Sequence, residues 1–445
     1  MKYYFLLLLL ILIISVFKIL NVHPTFSDEN VYFLMAKKVL EGKVPYKDFN
    51  FVHPPLQLYA ISAFFKIFGI SILSGKLLPI LFSSFSAILV FEIGRKIFKK
   101  EEKAFLATLF FLLFPPFLIY GDQELGIWES VFFMLLSLNF LLSNNYFLSS
   151  LFFSFSFFFR YLSILFLPLF LILTENRKKY IFFSFIFLLL GFFLFTTIFG
   201  DNFFKQTLKY QIESKLFINT KLKKDYWQYF SFGIFTLTIL ILTFFISLSK
   251  RNNFFFAISF YSLLYEILLV LSLKTIAYHY FLYTIPFVSL CYSYTFFARK
   301  GKFSKIFLSL LLILSIVSSI STFDFYFNKE RSKYIEEIAT YISSKISKED
   351  KIFGESTLTD YIAFSKNVEI ANNYLDAYVD YLRYISEDKV LENLEKEKPK
   401  YIIEMNAYLT LYPKFAGYIN RNYVLEKVFE EKKSGIVYFL YKRIY

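Results

Sequence analysis

HPTFSDENVYFLMAKKVLEGKVPYKDFNFVHPPLQ, residues 23–57, decides how the rest of the chain is read, because it gathers charge and turn formers directly behind an apolar run. Val31, Leu34, Met35 and Val39 share one stripe at helical spacing, with the cap formers Thr25 and Ser27 ahead of it. The spacing predicts an amphipathic helix with Asp28 and Glu29 in its first turn. The helix dipole alone favours carboxylates there by about 0.3–1 kcal/mol, so they need no further role on that ground. The second feature is His53 before Pro54-Pro55, where two prolines fix an extended backbone and hold the imidazole outside any regular element. An imidazole so placed can give a hydrogen bond or a charge to a phosphate, and it titrates near neutrality.

Outward from this stretch the chain is strongly apolar. Of 445 residues 57% are hydrophobic and 64 are Phe, which excludes a soluble protein of ordinary composition and predicts a polytopic helical membrane protein. The net charge of +14 does not point to nucleic acid, because it is unevenly spread: residues 1–323 hold 30 Lys+Arg against 15 Asp+Glu, and residues 324–445 hold 19 against 20. Met1-Lys2 and the apolar run to Leu20 look like a signal peptide, but Asn21-Val22-His23-Pro24 lacks small residues for cleavage, so a retained first span is expected.

Eleven spans are predicted, at 3–21, 77–95, 104–120, 127–143, 147–159, 161–174, 180–199, 229–249, 254–273, 280–297 and 304–323. Four basic clusters, at 95–103, 177–179, 250–251 and 299–305, all face the cytoplasm if 56–72 lies at the interface rather than crossing. That parity needs the chain to reverse at Arg160, making 147–174 a hairpin of two short spans. It puts the first loop, 21–76, with 121–126, 200–228 and the tail, on the outer face of the cytoplasmic membrane. Asp28 and Glu29, beside Phe26 and Tyr32, then sit where a lipid-linked head group would be presented.

The expected division is a membrane domain, 1–323, and an extracytoplasmic tail, 324–445. In the tail, ERSKYIEEIATYISSKI reads as a helix, KIFGE and KYIIEM as strands, 373–397 as one or two helices, and YVLEKVFEE with IVYFLYKRI as a hairpin, which together predict a small α/β domain. It has no Gly-rich phosphate loop. The single Cys291 excludes an intrachain disulfide and a Cys-based zinc site, and no HExxH, Walker A or GxSxG motif occurs. What remains is carboxylate chemistry at a membrane surface.

Other candidates lie at outer ends of spans. Asp122, Glu124 and Glu129 cluster around Gly121-Asp122-Gln123-Glu124 and Trp128; two of the three are expected to be solvated loop residues, while Glu129 falls within a span, where charge is costly. Arg160, Lys274 and His279 are candidate phosphate partners, although snorkelling accounts for Arg160 and Lys274 equally well. Glu266 lies inside a span and reads as a group paired to a neighbouring helix.

The chain resembles the membrane glycosyltransferases of C-type (GT-C) fold that use polyprenyl-phosphate sugars, the protein-O-mannosyltransferase and aminoarabinose-transferase-like group. The likeness rests on Asp28-Glu29 in the first outer loop, Gly42-x-x-Pro45-Tyr46-x-Asp48-Phe49, His53-Pro54-Pro55-Leu56, HYFLYTIP at 279–286, and Lys398-Pro399-Lys400-Tyr401 in an α/β tail. It implies an inverting transfer from a polyprenyl-phosphate sugar to a hydroxyl of a lipid, glycan or protein acceptor. Asp28 would be the general base, with Glu29 supporting it or touching the acceptor. The residue before Pro-Pro is commonly a phosphate-binding Lys in this group; here it is His53, which makes a second cation, Arg160, Lys274 or His279, more necessary. Some relatives use a divalent metal, for which Asp28 with Asp122, Glu124 or Glu129 are the candidate ligands. Transport or flipping of a lipid-linked sugar is the rival reading; it would place Glu129, Arg160 and Glu266 along a path through the bilayer.

Overall fold

In the computed structural model, residues 2–25, 27–217, 226–272, 278–298, 301–318, 329–347, 349–376, 386–431 and 435–444 are described. The chain forms two compact units. One comprises 1–21, 76–194 and 220–327; the other comprises 22–75, 195–219 and 328–445.

Each of the eleven predicted spans falls on a helix or a broken helical pair. They are α1 (Lys2–Leu20), α4 (Ile72–Phe98), α5 and α6 (Glu101–Leu113 and Pro115–Tyr120), α7 (Ile127–Leu141), α8 (Tyr146–Phe159), a 3-10 turn with α9 (Tyr161–Phe166 and Leu167–Leu173), α10 (Arg177–Phe199), α13 (Tyr226–Ser249), α14 (Asn253–Ser272), α15 (Ile285–Ala298) and α16 (Lys302–Ser318). Among the described residues, four helices are long and apolar enough by themselves to cross a membrane: Lys2–Leu20, Ile72–Phe98, Arg177–Phe199 and Asn253–Leu271. The break between α5 and α6 is at Pro115-Pro116, with Phe114 extended before them, as expected where a proline removes a backbone donor.

The reversal at Arg160 is present. Arg160 is extended (φ −150°, ψ 125°), and the chain folds back so that the Phe170 ring stands 5.5 Å from that of Phe153. Helices α7 and α8 are short, and serines join them: the Ser137 and Ser149 hydroxyls each donate to the other's carbonyl at 2.7 and 2.9 Å, as do those of Ser130 and Ser156 at 2.9 and 2.7 Å. Small hydroxyl residues let two backbones approach closely in an apolar medium and satisfy one another there.

In the other unit, α2 (Glu29–Leu40) and α3 (Leu56–Phe68) pack together, with Ser62 Oγ donating to the Ala36 carbonyl at 2.9 Å. Helix α3 is thirteen residues and ends at Gly69, whose φ of +84° suits glycine, so 56–72 is one short helix and the start of the next. The tail forms a five-stranded sheet, in order β2-β1-β3-β5-β4, from β1 (Lys351–Gly354), β2 (Glu369–Ile370), β3 (Tyr401–Met405), β4 (Tyr423–Glu431) and β5 (Ile436–Arg443). β1 is parallel to β2 and β3, while β5 runs antiparallel to β3 and to β4, the predicted hairpin. The helix Ser356–Lys366 follows β1; of the predicted helical segment 373–397, Glu387–Glu397 is a helix, 374–376 are not helical, and 377–385 lies outside the described residues. Phe33, Phe65 and Phe364 close a triangle of rings 5.8–6.0 Å apart, fixing that helix against α2 and α3.

Candidate active site

The predicted helix start is where the chain places it. Asp28 immediately precedes α2 and is exposed, and its side chain makes no capping hydrogen bond. The capping work falls to Ser27, whose Oγ accepts from the Glu29 amide at 3.3 Å. Glu29 is fully buried and takes the Thr25 hydroxyl. The two neighbouring carboxylates thus have different fates: one is spent inside, the other is presented outward. Phe26 lies outside the described residues.

His53 belongs to the same unit. It is half-buried, outside any helix, with α3 starting three residues on behind Pro55. The Tyr46 hydroxyl donates to its carbonyl at 2.7 Å, and its ring stands edge-on to Tyr32 and Phe51, at 6.0 and 5.8 Å. Tyr32 lies one turn into α2, its amide donating to the Asp28 carbonyl at 3.2 Å, so this ring links the His53 loop to the Asp28 turn. Tyr46, with φ +66°, packs on Phe199 and Phe203, and Gln206 brackets the loop by donating to the Tyr46 carbonyl and accepting from the Phe51 amide, both at 3.0 Å.

Sequence reasoning missed what surrounds Asp28. Asn30 is buried and donates to the carbonyls of Thr25 at 2.8 Å and Thr357 at 3.1 Å, bringing the start of α2 against the start of Ser356–Lys366. That second helix is capped by Glu355, whose carboxylate accepts from the Thr357 and Leu358 amides at 3.0 Å. Burial pushes Glu355 above the usual carboxylate range, these hydrogen bonds oppose the rise, and the charge of Asp28 adds to it. Burial raises Asp376 to about 7, with Asp28 and Glu355 adding to the rise. Asp360, one turn into the helix and fully buried, is held well up by burial, then by Asp376 and Glu355. The one sequence signal for Glu355 is its position just past the C-terminal end of a parallel strand, where α/β sheets present functional groups.

The remaining candidates belong to the other unit. Asp122 is buried with a carboxylate oxygen 3.6 Å from Lys76 Nζ, and it also attracts Lys18, which donates to the Phe117 carbonyl at 3.0 Å. Neither Asp122 nor Glu124 is a solvated loop residue: both are buried, and Glu124 accepts from the Gly126 amide at 3.0 Å. Glu129 is fully buried and faces Glu124 and Arg160. Arg160 Nε donates to the Leu125 carbonyl at 2.6 Å, so Arg160 holds the 121–126 loop, and its charge acts on Glu129. His279 stands by the Tyr120 and Tyr280 rings, and Lys274 lies outside the described residues. Glu266 accepts from Thr236 and Thr284 at 3.1 and 2.8 Å, the paired fate expected for it. Among the described residues no three His, Cys, Asp or Glu side chains gather closely enough to hold a metal ion, and Asp122 has ammonium neighbours where a metal ligand would need an open face.

Residues 52–200 match the family model described as dolichyl-phosphate-mannose-protein mannosyltransferase. No curated protein matches the chain. Among solved structures, the chain is similar to ArnT from Cupriavidus metallidurans bound to undecaprenyl phosphate, with a TM-score of 0.66 and 11% identity over 99% of this chain and 98% of that one. It is also similar to ArnT of the same organism in the apo state, with a TM-score of 0.61 and 12% identity over the same shares. The chain therefore carries the membrane fold of the C-type glycosyltransferases.

Proposed function

We propose that this chain is an inverting glycosyltransferase that moves a sugar from a polyprenyl-phosphate donor to a hydroxyl acceptor, on the outer side of the cytoplasmic membrane. The observation that carries the reading is the split between Asp28 and Glu29: one carboxylate is exposed at a helix start and spared from capping it, while its neighbour is buried. The match of 52–200 and the likeness to a structure holding undecaprenyl phosphate support the donor class.

In the proposed reaction the acceptor oxygen attacks the anomeric carbon as its proton passes to the Asp28 carboxylate. The bond from that carbon to the phosphate oxygen breaks with inversion, and the polyprenyl phosphate leaves with the electron pair. His53 donates a hydrogen bond to the leaving phosphate, more strongly when protonated. Glu355 and Asp376 hold their protons more tightly than ordinary carboxylates, which limits the repulsion that Asp28 meets when ionised.

Transport, the rival reading, would use Glu266 and Arg160 as stations along a path. Each has a neighbour to serve, Glu266 two threonines and Arg160 the Leu125 carbonyl, which favours the enzyme.

The test is transfer from a radiolabelled polyprenyl-phosphate sugar by purified protein in lipid. Asp28→Asn should lower turnover by about a hundredfold or more with the thermal unfolding profile kept, the usual scale for loss of a general base. Full activity in that variant would overturn the assignment.

A further inference from the structure

A cavity of about 600 Å³ opens at the end of the membrane unit that carries the basic residues, where α4 stops, the α7–α8 and α13–α14 turns meet and α15 passes. It is lined by Lys96, Lys99, Lys103, Ser143, Asn252 and a wall of aromatic rings, with no carboxylate. Lys96 Nζ is fixed by donating to the Asn139 carbonyl at 2.7 Å and to Ser143 Oγ at 2.6 Å, leaving one N–H to give. Lys103 Nζ is held over the Phe297 ring, 5.2 Å from its centroid. Lys99 ends α4 in the left-handed region (φ +55°). The adjacent Glu92 and Glu101 are drawn instead to Arg95, at 3.0 and 3.9 Å. Among the described residues, Lys96, Lys99 and Lys103 have no ion-pair partner. Phe255 stacks on Tyr294 at 4.0 Å and on Phe98 at 5.5 Å, giving the cavity a flat, rigid side.

We propose that this cavity binds the phosphate of an anionic phospholipid, at the end of the helices opposite the 121–126 loop. Lysines that served only to orient the chain in the bilayer would point separately into water. These three converge on one hollow, and one of them is pinned there by two hydrogen bonds. Three ammoniums around a lining that holds no carboxylate favour a phosphodiester over a zwitterion, and basic pockets between helix ends are where anionic head groups are retained. The aromatic wall suits the glycerol and first methylenes of a lipid better than a hydrated free ion. The site is independent of the proposed glycosyl transfer.

The test is native mass spectrometry of the full chain released from nanodiscs of phosphatidylcholine containing a minor fraction of either phosphatidylglycerol or labelled phosphatidylcholine. Phosphatidylglycerol should be retained about tenfold more often, and Lys96→Gln/Lys103→Gln should remove that preference, each lysine near an anionic lipid surface being worth a few-fold. Lys178→Gln/Lys179→Gln, which deletes the same charge outside the cavity, should keep it. Lys103→Gln alone leaves the Lys96 hydrogen bonds in place and should lose about half of the preference on a logarithmic scale, so a fold lost in the double variant does not blunt the test. Equal retention of the two lipids, or equal loss in the two double variants, would overturn the proposal. Displacement of the lipid by millimolar inorganic phosphate would also overturn it, making this a free-phosphate site.

Discussion

Replacing Asp376 with Asn should abolish part of a pH dependence that the carboxyl cluster around Asp28 builds into the stability of the chain. Burial and the charges of Asp28 and Glu355 raise Asp376 from 3.8 to about 7. A folded carboxyl that binds its proton more tightly than the unfolded one stabilises the fold fully below the unfolded value, and that stabilisation is lost as pH rises through the folded value. The window therefore runs from about pH 4 to 7, with stability falling as the pH rises. At about 1.4 kcal/mol for each tenfold change in proton affinity, the rise from 3.8 to about 7 amounts to about 4 kcal/mol at full ionisation. Asp376 is only half-buried, and solvent screening reduces the expected effect to about 2 kcal/mol. Asn cannot ionise, so Asp376→Asn should match the parent at ~pH 3.5 and exceed it by about 2 kcal/mol at ~pH 8. Asp28→Asn, which removes one source of the rise, should give a smaller gain of the same sign. Glu355 and Asp360 are shifted in the same direction and should leave a residual slope. The measurement is thermal unfolding of the full chain in detergent across that range. A gap between variant and parent that is the same at both ends would refute the reasoning, because a packing effect has no reason to titrate.

Three further outcomes follow from single contacts. Gly354→Ala should destabilise the tail by about 3 kcal/mol or more, because its φ is +151° and an added Cβ would fall 1.9 Å from the Ile403 carbonyl oxygen; hydrogen exchange at β1 and β3 reports it, and wild-type protection would contradict it. Lys76→Met should cost about 3 kcal/mol in thermal unfolding by leaving the buried Asp122 carboxylate with less counter-charge, and Lys76→Met/Asp122→Leu should recover most of that loss. Glu266→Gln should cost under about 1 kcal/mol, because the amide oxygen can still accept from one threonine, whereas Glu266→Leu strands both Thr236 and Thr284 and should cost about 2 kcal/mol; equal midpoints for the two variants would remove Glu266 from this network.

Much of the fold was legible because it is local. Apolar runs gave the helices, Pro115-Pro116 gave the break inside 104–120, and Arg160 between two short runs gave the reversal that Phe153 and Phe170 complete. Alternating residues around KKSG gave β4 and β5. The neighbours of Asp28 were not legible. Glu355, Asp360 and Asp376 lie more than three hundred residues downstream, and no periodicity encodes which helix start meets which. Only the packed structure shows Asn30 donating to Thr357. Lys18 was hidden for another reason: it lies inside an apolar run, and its attraction to Asp122 depends on a loop a hundred residues away. Glu129 was singled out because it is costly in a span, and the structure buries it fully, under the influence of Glu124 and Arg160.

The contrast between the two carboxylates of Asp28-Glu29 shows why a motif must be split into its side chains before it can carry chemistry. A helix start offers free amides to whichever acceptor reaches them, and here Ser27 takes that role at the start of α2 while Glu355 takes it at the neighbouring helix. Because Ser27 caps, Asp28 does not have to, and its carboxylate can remain outside while staying fixed by a backbone that the buried Asn30 anchors on two carbonyls. An exposed carboxylate on an anchored backbone suits a general base, whereas a capping carboxylate would spend its lone pairs on helix amides. His53 is held in a comparable way: its carbonyl accepts from the Tyr46 hydroxyl, and its ring stands edge-on to Tyr32 and Phe51. In both residues hydrogen bonds to the backbone fix the position from which the side chain meets a substrate in the proposed reaction.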